Sequence, residues 1–200
     1  MSLGKQSKVL NRSQIKMVSD YLRFHRNGLR NQTIFLLSVK SGLRSIEIAK
    51  LKWSMVLKSD GTIDDYINLP NSSSKGKRGG RVIPLNKDVK SNLEELYGEH
   101  QLLKDFLPTD TFIVRTERSP STSSQTIVNM FQRWYRTLGL VGCSSHSGRR
   151  TFITETSKKI TTVGGSLRDV QMMVGHTSLQ TTQRYIESDS ECQRKVVDLI

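Results

Sequence analysis

The chain has 200 residues, 35% of them hydrophobic and 24% charged, which suits one domain with a real core and excludes a low-complexity or fibrous protein. Lysine and arginine total 31 against 18 acidic residues, and the net charge of +13 points to a polyanionic partner, nucleic acid before an anionic membrane surface, with a merely solvated basic surface as the alternative. Two cysteines exclude a disulfide framework and a four-cysteine metal site, and no apolar run approaches the ~20 residues of a membrane span, so a cytoplasmic chain is expected.

Residues 1–10 carry basic side chains without an apolar h-region and are expected to be disordered. Asn11-Arg12-Ser13-Gln14 fits a capping box, and Ile15, Val18 and Leu22 then mark the apolar stripe of a helix ending near Gly28. A second helix is predicted from about Asn31 through Ile34, Leu36 and Leu37 to a turn at Gly42, followed by a short helix around Ile48 and Leu51. From Met55 the period becomes extended. Met55–Leu57, Ile63–Leu69 and Arg81–Leu85 read as three short antiparallel strands, with Asp60-Gly61 as the first turn and a basic, glycine- and serine-rich loop from Asn71 to Gly80 as the second.

Asn86 caps a helix that turns Val89, Leu93 and Leu96 inward, and the apolar triplet Phe112-Ile113-Val114 follows a polar, proline-containing connection. After a loop from Ser119 to Gln125, Ile127, Phe131, Trp134 and Leu138 recur at i, i+4, i+7 and i+11, a core-facing helix that assigns Trp134 and Tyr135 no chemistry. A helix from His146 is predicted to run to Ile160. Another, opened by the capping box Ser166 to Asp169, ends at Gly175, where a left-handed residue stops a helix and turns the chain. Tyr185 falls on or beside a further short helix. The tail from Glu191 to Ile200 carries Val196, Val197, Leu199 and Ile200, an apolar face that is expected to dock on its own domain or on a neighbour.

The chemistry concentrates between His146 and Tyr185. On a helix, His146 and Arg149 stand three apart and share a face, so an imidazole and a guanidinium can converge on one anion. His176 projects from the Gly175 corner, and Tyr185 lies nine residues beyond it. A phenol is a weak nucleophile until neighbours take its proton and stabilise the charge built up on what it attacks. Upstream, Gly42-Leu43-Arg44 is followed by Glu47, an acid three residues after the arginine. His25 and His100 read as ordinary structural histidines, and too few acids and cysteines stand at ligand spacing beside His146 or His176 to suggest a metal.

Taken together these residues resemble the tyrosine recombinase, or phage integrase, family, whose pattern is Gly-Leu-Arg with an acid three residues on, then H-x-x-R, then Gly-His, then a tyrosine nine residues after that histidine. The resemblance runs from about Asn11 to Ile200. It implies a mainly α fold with a small antiparallel three-stranded sheet (α+β), the catalytic-domain fold of that family, and a single catalytic domain over residues 1–200 with 186–200 as a C-terminal tail. It implies cleavage and rejoining of double-stranded DNA through a covalent 3′-phosphotyrosine, without metal or other cofactor. Arg44 and Arg149 would then bind the phosphate, Glu47 would orient Arg44, His146 would act as acid/base, His176 would hydrogen-bond the phosphate and Tyr185 would be the nucleophile. A hairpin lysine would protonate the departing 5′ oxygen: Lys75, with Lys77 in reserve, because the loop runs one residue long. Self-association to a tetramer on DNA from a monomer in solution also follows, as does a bacterial, phage or mobile-element source.

Three features depart from the family pattern. Gly148 replaces an apolar residue between His and Arg, which is expected to loosen packing under the site. Val174 replaces a leucine before Gly-His. No amino-terminal DNA-clamping domain is visible, so the chain reads as an excised catalytic domain or a small stand-alone recombinase. Two other classes stay open: a type IB topoisomerase-like enzyme that relaxes DNA without exchanging partners, and a non-enzymatic DNA-binding regulator with no use for Tyr185.

Overall fold

The computed structural model describes residues 6–71, 80–185 and 197–198. Among these residues eight α-helices and one hairpin follow in the order α1 (Arg12–Arg23), α2 (Gly28–Ser41), α3 (Ser45–Lys50), β1 (Tyr66–Leu69), β2 (Arg81–Pro84), α4 (Lys87–Gln101), α5 (Ser124–Thr137), α6 (Ser147–Lys159), α7 (Leu167–Val174) and α8 (Leu179–Gln183). Both capping boxes form. The Asn11 side chain accepts from the Gln14 amide at 2.9 Å while Gln14 accepts from the Asn11 amide at 3.0 Å, and Asp169 accepts from the Ser166 amide at 2.8 Å. Each satisfies amide donors that a helix start leaves without a partner.

Helix α2 is the axis of the molecule. It packs against α1, α4 and α6, and burial extends over Leu29, Ile34, Phe35, Leu36, Leu37, Ser38 and Val39, more than one face of a helix. Gly28 opens this helix rather than closing α1, which stops at Arg23; Asn27, in the left-handed region at φ 57°, makes the turn. The main core joins α1 through α5 and both strands, from Leu10 and Val18 to Trp53, Ile83, Phe131 and Tyr135. A small separate cluster of Ile153, Val170 and Val174, with Phe152, Met173 and Tyr185 at its edge, holds α6, α7 and the Tyr185 segment together.

Three further details differ from the sequence expectations. The fold is mainly helical as expected, but the sheet has two strands, not three. Residues Trp53–Met55 form a 3-10 turn, and the segment after it meets the chain again at one isolated bridge, Leu57 to Ile63. Residues 8–10 are not a loose leader: Leu10 is buried, its amide donates to Thr151 Oγ1 at 2.8 Å, and the Lys8 amide donates to Gly142 O at 3.0 Å. The hairpin segment 72–79 and nearly all of the tail from Glu191 lie outside the described residues.

Gly148 is the third. Instead of loosening the packing, it lets α6 cross α2 closely: a Cβ at Gly148 would come within 2.4 Å of Ser38 Oγ and 3.0 Å of Ser38 Cβ. Gly148→Leu is therefore expected to destabilise the fold by about 1–3 kcal/mol through overpacking, more than the ~1 kcal/mol gained by removing a helical glycine. A urea midpoint at or above that of the parent chain would show that the two helices can move apart freely.

His100 fits its structural assignment. Its Nδ1 accepts from Trp53 Nε1 at 3.0 Å, and burial first, then Arg115, pushes its pKa down to about 4, which keeps the ring neutral. Among the described residues no helix is long and apolar enough to cross a membrane.

Candidate active site

The first arm of the site forms where α2 ends. Gly42, left-handed at φ 66°, turns the chain so that Arg44 becomes the N-cap of α3. Glu47, fully buried in the first turn of α3, accepts from the Arg44 amide at 2.8 Å and from Arg44 Nη1 at 2.9 Å. The same carboxylate accepts from Arg81 Nη2 at 2.9 Å, so it sits between two guanidiniums. Burial alone would push its pKa up; the Arg81 hydrogen bond and charge, then those of Arg44, outweigh it and hold Glu47 below the usual carboxylate range.

The second arm comes from α6. Arg149, only 4% exposed, donates through Nη1 to Gly42 O and through Nη2 to Val174 O at 2.6 Å. Arg81 Nε donates to the neighbouring carbonyl, Met173 O, at 2.9 Å. Two guanidiniums thus satisfy carbonyls that the end of α7 leaves open, and their charge complements the negative end of that helix. Burial first, then Arg44 and Arg81, lowers the Arg149 pKa to about 9, with Glu47 and Tyr185 opposing; the group is still a cation at neutral pH.

These bonds fix the corner that carries the second histidine. Gly175 adopts φ 64°, and the His176 amide donates to Gln171 O at 3.2 Å while Gln171 Nε2 donates to His176 O at 2.9 Å. His176 Nδ1 lies 3.0 Å from Thr182 Oγ1, and its ring stacks on that of Tyr185 with centroids 5.6 Å apart and planes at 23°. Burial, then the Arg149, Arg44 and Arg81 charges, push the His176 pKa down to about 4, so the imidazole is neutral near pH 7. Tyr185 is seated by its backbone, whose amide donates to Thr182 O at 3.0 Å and whose carbonyl accepts from Thr154 Oγ1 at 3.2 Å.

His146 lies one residue outside the helix on which the spacing places it with Arg149. It is the N-cap of α6 and exposed, whereas Arg149 points into the protein. The reason is local: the Ser144 amide donates to Ser147 Oγ at 3.0 Å, and this turn starts the helix one residue after the histidine. Both residues still line one cleft of about 310 Å³ with Arg150, Thr181, Arg184 and Tyr185. A second cleft, of about 780 Å³ between the hairpin and α7, reaches His176 from Asn68, Arg81, Gln171 and Gly175.

Arg44, Glu47, Arg149, His176 and Tyr185 are therefore brought together, with His146 at the rim of the Tyr185 cleft. Lys75 and Lys77 lie outside the described residues. Arg81 was not singled out from the sequence. The available signal was its place on the same strand face as buried Ile83, because a charged residue on an inward face needs an internal partner. Among the described residues no three His, Cys, Asp or Glu side chains are grouped as metal ligands.

The chain is 30% identical over 173 residues to tyrosine recombinase XerC of Staphylococcus epidermidis, an alignment covering 86% of this chain and 54% of that protein. It is 27% identical over 176 residues to tyrosine recombinase XerA of Pyrococcus horikoshii, covering 86% and 55%. The chain thus spans about half the length of these relatives. Its fold matches the crystal structure of XerA recombinase with a TM-score of 0.75 at 19% identity, over 97% of this chain and 65% of that one. It also matches XerH site-specific recombinase bound to palindromic difH substrate in a post-cleavage complex, with a TM-score of 0.74 at 21% identity over 98% and 53%. The model of the phage integrase family matches residues 8–191, nearly the whole chain, and the chain belongs to that family.

Proposed function

We propose that this chain is the catalytic domain of a tyrosine-type site-specific DNA recombinase. The observation that carries this reading is the Tyr185 phenol ring stacked on His176 beside the buried Arg149, in a cleft lined by further arginines. Tyr185 Oη attacks a backbone phosphorus, the P–O5′ bond breaks, and the 3′ phosphate stays on the tyrosine until a 5′ hydroxyl attacks it in turn. The phosphoryl centre gains negative charge on its non-bridging oxygens during both steps. Arg44 and Arg149 are the fixed cations for that charge, and a planar guanidinium can bond two oxygens at once. In this reading a neutral His176, with Nδ1 beside Thr182 Oγ1, turns Nε2–H toward the phosphate, and exposed His146, which lines the Tyr185 cleft, exchanges protons at the nucleophile.

Double-stranded DNA is the proposed substrate, bound by a monomer that assembles into a tetramer on its site. Support comes from the net charge of +13 and from fold relatives described as XerH on a palindromic substrate and as a lambda integrase dimer bound to a core site. The test is a nicked duplex carrying inverted repeats from the DNA flanking the coding region, incubated with the protein in EDTA and resolved on a denaturing gel. A protein–DNA adduct is expected. Cleavage abolished by EDTA and restored by magnesium would point to a different enzyme.

The lysine assignment has its own test. A 5′-bridging phosphorothioate supplies a leaving group that needs no proton, so it should rescue Lys75→Ala selectively; rescue of Lys77→Ala instead would move the general acid to that residue.

A further inference from the structure

Arg81 opens β2, directly after the segment that carries both candidate lysines, and its side chain is 7% exposed. Its bonds leave the hairpin. Nη2 reaches Glu47 on α3, Nε reaches the Met173 carbonyl on α7, and Gly175 lies so close that a Cβ there would come within 3.0 Å of Nη1. Burying a guanidinium and a carboxylate is costly, and an apolar residue at position 81 would leave the Met173 carbonyl without this donor and Glu47 without one of its two guanidinium partners among the described residues.

We infer that Arg81 is a positioning residue for the cleavage site: one planar guanidinium fixes the Glu47 carboxylate, and through it Arg44, in register with the Gly175–His176 corner. Arg44 caps α3 and His176 follows α7, and the main core and the small cluster that hold those helices are distinct. Arg81 spans that division with a rigid fork whose donors diverge at a fixed angle. A lysine ammonium, a single point on a flexible stem, supplies the charge without the geometry. Misplacing a phosphate-directed group by about 1 Å costs roughly a hundredfold in rate, so the bridge acts on catalysis without touching DNA.

The inference rests on the reading of Arg44 and His176 as phosphate-directed groups, and its test separates the two. Arg81→Gln and Arg81→Lys are compared with the parent chain by the rate of adduct formation on the nicked duplex, by DNA affinity, and by the pH titration of the His176 ring followed by NMR. Arg81→Gln is expected to slow adduct formation by at least about tenfold with little change in affinity. The His176 midpoint should rise, because of the cations facing it, Arg149 on α6, Arg44 before α3 and Arg81 on β2, one is gone. Arg81→Lys should return the midpoint toward the parent value without restoring the rate.

A parental rate in Arg81→Gln, full recovery in Arg81→Lys, or a His176 midpoint unmoved in Arg81→Gln would each overturn the inference. If Arg81→Gln does not fold, Arg81→Lys still decides it by its rate. If the parent chain forms no adduct, the cleavage reading falls, and Arg81 is judged on the His176 midpoint alone.

Discussion

Tyr185→Phe is expected to abolish covalent attachment to DNA while leaving fold and DNA binding intact. The change removes one oxygen and almost no volume. The contacts that seat the residue survive it: the amide to Thr182 O, the carbonyl from Thr154 Oγ1, and the ring against His176 and the Ile153, Val170 and Val174 cluster. Loss of the nucleophile should leave no measurable adduct, since no positioned hydroxyl remains to form the phosphoester. The measurement is a denaturing gel of the nicked duplex after long incubation, with gel-shift affinity and melting temperature as controls. Adduct from the phenylalanine variant would remove Tyr185 from its role, whatever the state of the rest of the site.

Arg149→Ala and Arg44→Ala are each expected to lower the cleavage rate by about two orders of magnitude or more, as the loss of a fixed charge-stabilising donor does in other enzymes. DNA affinity should fall far less. The two variants should differ in stability. Arg149 is 4% exposed and satisfies the Gly42 and Val174 carbonyls, so its removal leaves two acceptors unpaired at about 1–3 kcal/mol each where they stay buried. The Arg44 side chain is 23% exposed, and its partner Glu47 keeps Arg81. Arg149→Ala should therefore lose rate and melting temperature together, and Arg44→Ala chiefly rate. Cleavage near the parental rate in either variant would make that arginine structural.

Much of the fold was legible because the signals are short-range. The boxes at Asn11 and Ser166 close within three residues, Asn86 caps the following helix, and Gly42 and Gly175 adopt the left-handed conformation that a helix stop requires. The stripe of Ile127, Phe131 and Trp134 is buried as its period demands. The site motifs were legible for a related reason, since the chemistry needs particular side chains and their order is visible in one dimension.

What the sequence by itself determined is therefore the helices, those of their ends that a cap or a glycine stop marks, and which side chains could serve phosphate chemistry. Only the tertiary structure decided how those side chains are held. Arg81 bonds to Glu47 across 34 positions and to Met173 across 92, and Arg149 to Gly42 across 107. No periodicity or spacing rule encodes a partner at that distance. Gly148 turned from a packing defect into the point where α6 meets α2 because its neighbour, Ser38, is set by the crossing of two helices. Local conformation follows from residues within a turn of one another, whereas the partner of a buried charge follows from which elements the core brings into contact.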